Sequence, residues 1–136
     1  MKYIVDPRLL LDILEDDPER GGPALALLEK HKNATLVLAP ISYVALAPAF
    51  MGLRELQDEF LSNLGITVAT DFPLETLHTA YKAWSEYVRD NPDKVGGGNE
   101  LDFVCVGAVA LLHDGILTRD GAFFRKYFLS LRVIEP

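Results

Sequence analysis

Short apolar runs alternate along the chain with longer segments whose apolar residues recur every three or four positions, the marks of strands and amphipathic helices respectively. Tyr3-Ile4-Val5 is the first run, and Asp6-Pro7 stops it. Proline suits the first turn of a helix, so Asp6 is expected to cap a helix reaching about Leu14, with Leu9, Leu10, Ile13 and Leu14 as its apolar stripe. The cluster Glu15-Asp16-Asp17-Pro18 ends it. Gly21-Gly22-Pro23 opens a second helix from Ala24 to about Lys32, with Leu25 and Leu28 inward, and Asn33 breaks it. Thr35–Ala39 is apolar at nearly every position, as in a strand covered on both faces. Pro40-Ile41-Ser42 turns into a helix capped by Ser42 that stops before Gly52. Leu53–Leu64 makes another, with Leu53, Leu56, Phe60 and Leu64 at helical spacing and Gly65 as its stop.

Ile66–Ala69 reads as a third strand. The clearest helix follows Pro73, where Leu77, Ala80, Tyr81, Trp84, Tyr87 and Val88 form an amphipathic stripe expected to be core. Asn91-Pro92 ends it. Gly96-Gly97-Gly98 follows a helix rather than a strand, so it reads as a linker and not a phosphate cradle. Asp102 is expected to cap a nearly uncharged helix, Phe103–Leu112, which has no polar face and must be central and buried. His113-Asp114-Gly115 turns into a fourth strand, Ile116–Thr118. Arg119-Asp120-Gly121 leads to a short helix through Tyr127 and a last strand at about Leu131–Ile134. Strands separated by helices predict an α/β fold: a mostly parallel central sheet with helices on both faces, one domain over residues 1–136.

Composition adds limits. A chain of 136 residues that is 49% hydrophobic can bury a core without disulfides or structural metal. The one cysteine, Cys105, lies in an apolar run with no basic neighbour, as a small core residue would, and this suits a reducing compartment. No apolar leader or spanning segment is evident, so a cytoplasmic protein without membrane contact is expected. The net charge of −7 argues against a broad basic face for nucleic acid. Positive charge gathers near the C-terminus instead, where Arg119, Arg125, Lys126 and Arg132 outnumber Asp120 and Glu135.

Sites in open parallel sheets form at the carboxyl ends of the strands. Asp6 closes the first strand, Asp120 lies just past the fourth, and Asp102 begins the helix leading into that strand. Each has a plain structural use as a cap or turn residue. Together, however, carboxylates so placed repel one another unless a cation intervenes, and hard oxygen ligands suit Mg²⁺ or Mn²⁺. Such an ion activates water and neutralises charge on a phosphoryl group. Thr118, Arg119 and Arg125 would then contact phosphate oxygens, although ion pairing is an equal use for the arginines. His31, His78 and His113 have no mutual metal-ligand spacing, and no nucleophile elbow, Walker loop or dinucleotide fingerprint occurs.

The stretch Leu101-Asp102-Phe103-Val104-Cys105-Val106-Gly107-Ala108-Val109-Ala110-Leu111, followed by Gly115-Ile116-Leu117-Thr118-Arg119-Asp120-Gly121-Ala122-Phe123-Phe124-Arg125-Lys126-Tyr127-Phe128, resembles the C-terminal half of PIN-domain proteins, and more narrowly of VapC-type toxins. Val5-Asp6 with Leu9–Leu14, and Ile41–Phe50, resemble the same family, so the likeness runs over the whole chain. It implies a PIN-like three-layer fold and a Mg²⁺- or Mn²⁺-dependent endoribonuclease that dimerises and is held inactive by a small antitoxin. Carried over, the metal-site acids would be Asp6, Asp102 and Asp120, with Thr118 in support. Three positions depart from the pattern. Ala45 stands where the family has a glutamate, Pro7-Arg8 stands where it has Thr-Asn, and Val109 stands where a histidine is common. Losing a carboxylate should weaken metal binding, while Arg8 either replaces part of a cation's charge or favours phosphate. Two readings follow: a ribonuclease, active or attenuated, acting on RNA, or a PIN-fold module that has lost catalysis and works through protein or RNA contacts.

Overall fold

The computed structural model describes residues 1–95 and 98–136. Its strands are β1 (Lys2–Val5), β2 (Thr35–Leu38), β3 (Ile66–Val68), β4 (Gly115–Leu117) and β5 (Val133–Ile134). Its α-helices are α1 (Pro7–Leu14), α2 (Gly21–Lys30), α3 (Pro40–Ala45), α4 (Arg54–Asn63), α5 (Leu74–Asp90), α6 (Asn99–Ala110) and α7 (Gly121–Tyr127). Single 3₁₀ turns occupy Ala47–Phe50 and Pro92–Lys94. The strands form one sheet in the order β3-β2-β1-β4-β5, and every pairing among them is parallel. This is the predicted α/β fold.

Strand periodicity of two decides which residue feeds which layer. Tyr3 and Val5, Leu36 and Leu38, and Leu117 point to one face, where they pack with Leu9 and Leu10 of α1, Leu27 and Leu28 of α2, Leu46, Phe50 and Leu61. Ile4, Val37 and Ile116 point to the other, against Ala80 and Ala83 of α5, the apolar run of α6, and Phe124 and Phe128. Both faces are covered, which is why the strands read as continuous apolar runs rather than as alternating ones. The central burial predicted for the Phe103–Leu112 segment holds for its middle, where Val104, Val106, Ala108, Val109 and Ala110 are essentially inaccessible, but α6 ends at Ala110 and Leu112 is 52% exposed. At Gly107 an added Cβ would enter the ring of Phe128, so only glycine lets α6 lie this close to the chain after α7.

Several local expectations are corrected. Asp102 does not cap α6, which begins at Asn99 after Gly98 at φ 129°, so Asp102 lies inside the first turn. Ser42 does not cap α3; Ala39 holds that place and Ser42 is a buried helical residue. Helix α2 starts at Gly21 and buries Ala24, Leu27 and Leu28, leaving Leu25 40% exposed. Helix α4 buries Gln57 and Leu61, while Leu53 and Leu56 are exposed. Gln57 is tolerated there because its Nε2 donates to the Tyr43 carbonyl at 2.7 Å. On α5 the inward face is Thr76, Ala80 and Ala83, with Leu77 and Tyr81 in solvent. Trp84 of the expected stripe is partly buried and packs against the same core as Ala80 and Ala83. The expected Gly96–Gly98 linker falls largely outside the described residues.

Candidate functional site at the strand switch point

The sheet order changes direction between β1 and β4, so the chain leaves these two neighbours toward opposite faces and a crevice opens at their carboxyl ends. The register Val5↔Leu117 places Asp6 and Thr118 next to one another as the first residues beyond the two strands. The Asp6 amide donates to the Leu117 carbonyl at 2.9 Å, which holds the pair in line. Thr118 Oγ1 donates to Asp6 Oδ2 at 2.6 Å and accepts from the Asp120 amide at 3.0 Å. Thr118 therefore ties the first aspartate to the turn that carries the third.

Asp6 is fully buried and caps α1, its Oδ1 accepting the Arg8 amide at 2.9 Å. The same side chain receives the Arg8 guanidinium. Nη2 donates to Oδ2 at 2.7 Å, and Nε lies 3.2 Å from both carboxylate oxygens. Nη1 reaches across the crevice to Asp120 Oδ2 at 3.1 Å. One face of the guanidinium lies on the Phe103 ring, with Cζ 3.9 Å from its centroid. Burial alone would lower the Arg8 basicity, but its hydrogen bonds and attraction to Asp6, and then to Asp120, outweigh this and hold it above its ordinary value.

Asp102 has no ion pair or side-chain hydrogen bond among the described residues. Burial pushes its carboxyl above the usual aspartate range, and burial with the nearby Asp102 charge raises the Cys105 thiol. Cys105 is thus poorly suited to act as a thiolate. Arg119 is turned to the α1 side, where Nε donates to Asp12 Oδ2 at 2.8 Å. Arg125 pairs with Glu135 at 3.0 Å, and Glu135 also accepts the Gly121 amide at 2.9 Å. Ala45 is exposed at the end of α3.

The donor set does not fit a resident divalent ion. A carboxylate offers about four lone-pair positions, and those of Asp6 are taken by Thr118, the Arg8 amide and the guanidinium. Among the described residues no group of three or more His, Cys, Asp or Glu side chains is placed to hold a metal. The structure thus unites Asp6, Thr118, Asp120 and Arg8, and leaves Asp102 outside their hydrogen-bond network. Sequence reasoning missed Asp12 and Phe103. A lone aspartate inside the stripe Leu9-Leu10-Leu11-Asp12-Ile13-Leu14 was the signal for the first, because a carboxylate on an apolar helix face needs a partner. Nothing in the sequence signalled the second.

No family profile and no curated protein matches the sequence. Among solved structures, the chain is similar to one in the crystal structure of VapBC2 from Rickettsia felis bound to a DNA fragment from their promoter. The similarity has a TM-score of 0.68 at 15% identity, over 99% of this chain and 98% of that one. It is a likeness of fold, and it bears out the PIN-like α/β architecture. No described helix is long and apolar enough to cross a membrane.

Proposed function

We propose that this chain is a VapC-like PIN-fold module of the toxin–antitoxin kind that works by binding a small protein partner, with its hydrolytic centre closed. The observation that carries this reading is the Asp6–Arg8–Asp120 bridge, which uses the carboxylate oxygens that a catalytic ion would need. Ala45 supports it, since a helix end without a carboxylate offers no further ligand. The binding role is supported by apolar side chains left in solvent along α3, the following 3₁₀ turn and α4. Val44 is 66% exposed, Met51 79%, Leu53 50% and Leu56 48%, although the last two have the spacing of core residues. The net charge of −7 favours a partner with a basic segment. Pairing of two copies of the chain belongs to the same proposal.

The second reading is a Mg²⁺- or Mn²⁺-dependent endoribonuclease. It is supported by Asp6 and Asp120 beyond the carboxyl ends of β1 and β4, by Thr118 between them, and by the fold likeness. In that reading Asp6, Asp102 and Asp120 would hold the ion, which would supply an activated water and charge neutralisation at an RNA phosphodiester.

One pair of experiments separates the two. The chain is co-expressed with the product of the adjacent reading frame and analysed by size exclusion, and the purified chain is incubated with a mixed RNA pool in Mn²⁺ with and without EDTA. A stable complex without EDTA-sensitive cleavage is the expected result. EDTA-sensitive cleavage that disappears in Asp120→Asn would establish the ribonuclease instead.

A further inference from the structure

We infer that Arg8 is a resident cation, a tethered guanidinium that takes the place of a divalent ion between Asp6 and Asp120 and does that ion's electrostatic work. The inference rests on the reading that the acidic centre is not a working metal site, and it names what closes it. A single planar group spans carboxylates from the ends of two strands, at 2.7 Å on one side and 3.1 Å on the other. Mg²⁺ needs oxygen donors at roughly 2.0–2.1 Å in near-octahedral order. Those oxygens are engaged by N–H groups, so ion and guanidinium compete for the same lone pairs.

Arg8 is also fixed there rather than merely attracted. It stands in the first turn of α1, and its own amide binds the Asp6 cap, so backbone and side chain address the same carboxylate. The Phe103 ring covers one face of the guanidinium, and the side chain is only 16% exposed. A planar fork suits this task, since it bridges two acids while a lysine would act as a point charge on one. A phosphate-binding role fits less well. Three of the five guanidinium N–H groups are committed to carboxylates, and an arriving phosphate would meet Asp6 and Asp120.

It follows that the protein needs no metal for its fold, and that the Arg8 guanidinium is the cation standing between these aspartates and an ion. The test is titration of the intact chain and of Arg8→Asn with Mn²⁺, read by calorimetry, by the electron paramagnetic resonance of bound Mn²⁺, and by melting temperature. The unaltered chain should bind no more tightly than millimolar and melt at the same temperature in EDTA. Arg8→Asn should bind at least tenfold more tightly and gain several degrees in millimolar Mn²⁺, a gain lost again in Arg8→Asn/Asp120→Asn. If Arg8→Asn does not fold, Arg8→Gln is measured with the same two outcomes. Micromolar Mn²⁺ binding by the unaltered chain that is lost in Asp120→Asn would overturn the inference. So would a folded Arg8 variant with no gain. RNA cleavage is a separate readout: metal binding without cleavage refutes the resident cation alone, and EDTA-sensitive cleavage refutes the proposed function.

Discussion

Replacing Arg8 with methionine tests the electrostatics of the centre through stability alone. Methionine keeps the unbranched apolar stem of the side chain but lacks the guanidinium, and so removes the cation beside a fully buried Asp6 together with its contact with Phe103. Breaking a buried ion pair by deleting one partner costs about 3–5 kcal/mol, because the remaining charge stays buried without compensation. Asp6 keeps two donors, Thr118 Oγ1 at 2.6 Å and the amide of residue 8 at 2.9 Å, and Asp120 is open enough for water to serve it. The lower end, about 3 kcal/mol, is therefore expected. With an unfolding entropy of about 2.1 cal/mol/K per residue, a chain of 136 residues should lose about 10 °C in melting temperature. The assay is urea unfolding followed by the fluorescence of Trp84, the only tryptophan. Arg8→Met/Asp6→Asn should recover about 2 kcal/mol of the loss, since the asparagine oxygen still accepts the amide of residue 8 while its NH₂ donates to a Thr118 Oγ1 whose hydroxyl has turned. A single-variant loss under about 1 kcal/mol, or a double variant no more stable than Arg8→Met, would refute the argument.

Four further outcomes follow from the same structure. Gly107→Ala should destabilise by about 1–3 kcal/mol of overpacking despite alanine's better helix propensity, because its Cβ meets the Phe128 ring; combining it with Phe128→Leu should recover part of the loss in urea melts. Arg119→Leu should cost about 3 kcal/mol by stranding Asp12, which is 6% exposed, and Asp12→Leu/Arg119→Leu should be close to the parent by the same measurement. Burial and the hydroxyl hydrogen bond to Asp90 push the Tyr127 phenol up to about 12, so the last step of an alkaline ultraviolet titration should vanish in Tyr127→Phe. The folded chain then holds a proton that the unfolded chain releases near its ordinary value of about 10, and stability should fall as pH rises through that interval. Hydrogen bonds from the Arg20 and Glu19 amides hold the Asp17 carboxyl below its usual range, so its side-chain NMR titration should be displaced to lower pH, and the start of α2 should loosen only as pH falls through it.

What the sequence made legible follows the strength of the local signals. The β-branched and aliphatic runs at Tyr3–Val5 and Thr35–Leu38 have no polar interruption, and a chain can hide such a run only in a sheet covered on both sides. From that placement the positions of Asp6, Thr118 and Asp120 follow, because residues just past neighbouring parallel strands must meet. The helix faces were less legible. Leu53 and Leu56, or Leu77 and Tyr81, have the spacing of a core stripe, yet the contact surfaces are Gln57 with Leu61 and Thr76 with Ala80 and Ala83. Periodicity reports that a helix has an apolar side, but the choice between adjacent rows is made by the neighbour it packs on. Asp102 shows the same limit for caps. Aspartate favours a helix start, and here a glycine with positive φ at position 98 starts the helix earlier.

Arg8, one of the departures from the pattern that the sequence resembles, explains why a buried carboxylate survives at the centre. Asp6 is needed twice for structure: it caps α1, and it anchors Thr118 and through it the Asp120 turn. A buried charge in that position requires compensation by a metal or a cation. In the ribonuclease reading, a chain with a glutamate at position 45 and no arginine at position 8 would present that glutamate with Asp6, Asp102 and Asp120 and would depend on an ion to hold them together. This chain has one acid fewer and one cation more, so Asp6 and Asp120 are neutralised to within one charge by Arg8 itself. Restoring glutamate alone, in Ala45→Glu, should therefore add neither Mn²⁺ binding nor EDTA-sensitive cleavage. Only Arg8→Asn/Ala45→Glu removes the competitor and supplies the ligand, and it should bind Mn²⁺ more tightly than Arg8→Asn. Ala45→Glu alone matching the double variant in Mn²⁺ titration would mean that the arginine yields to an ion, and that the lesion lies at position 45.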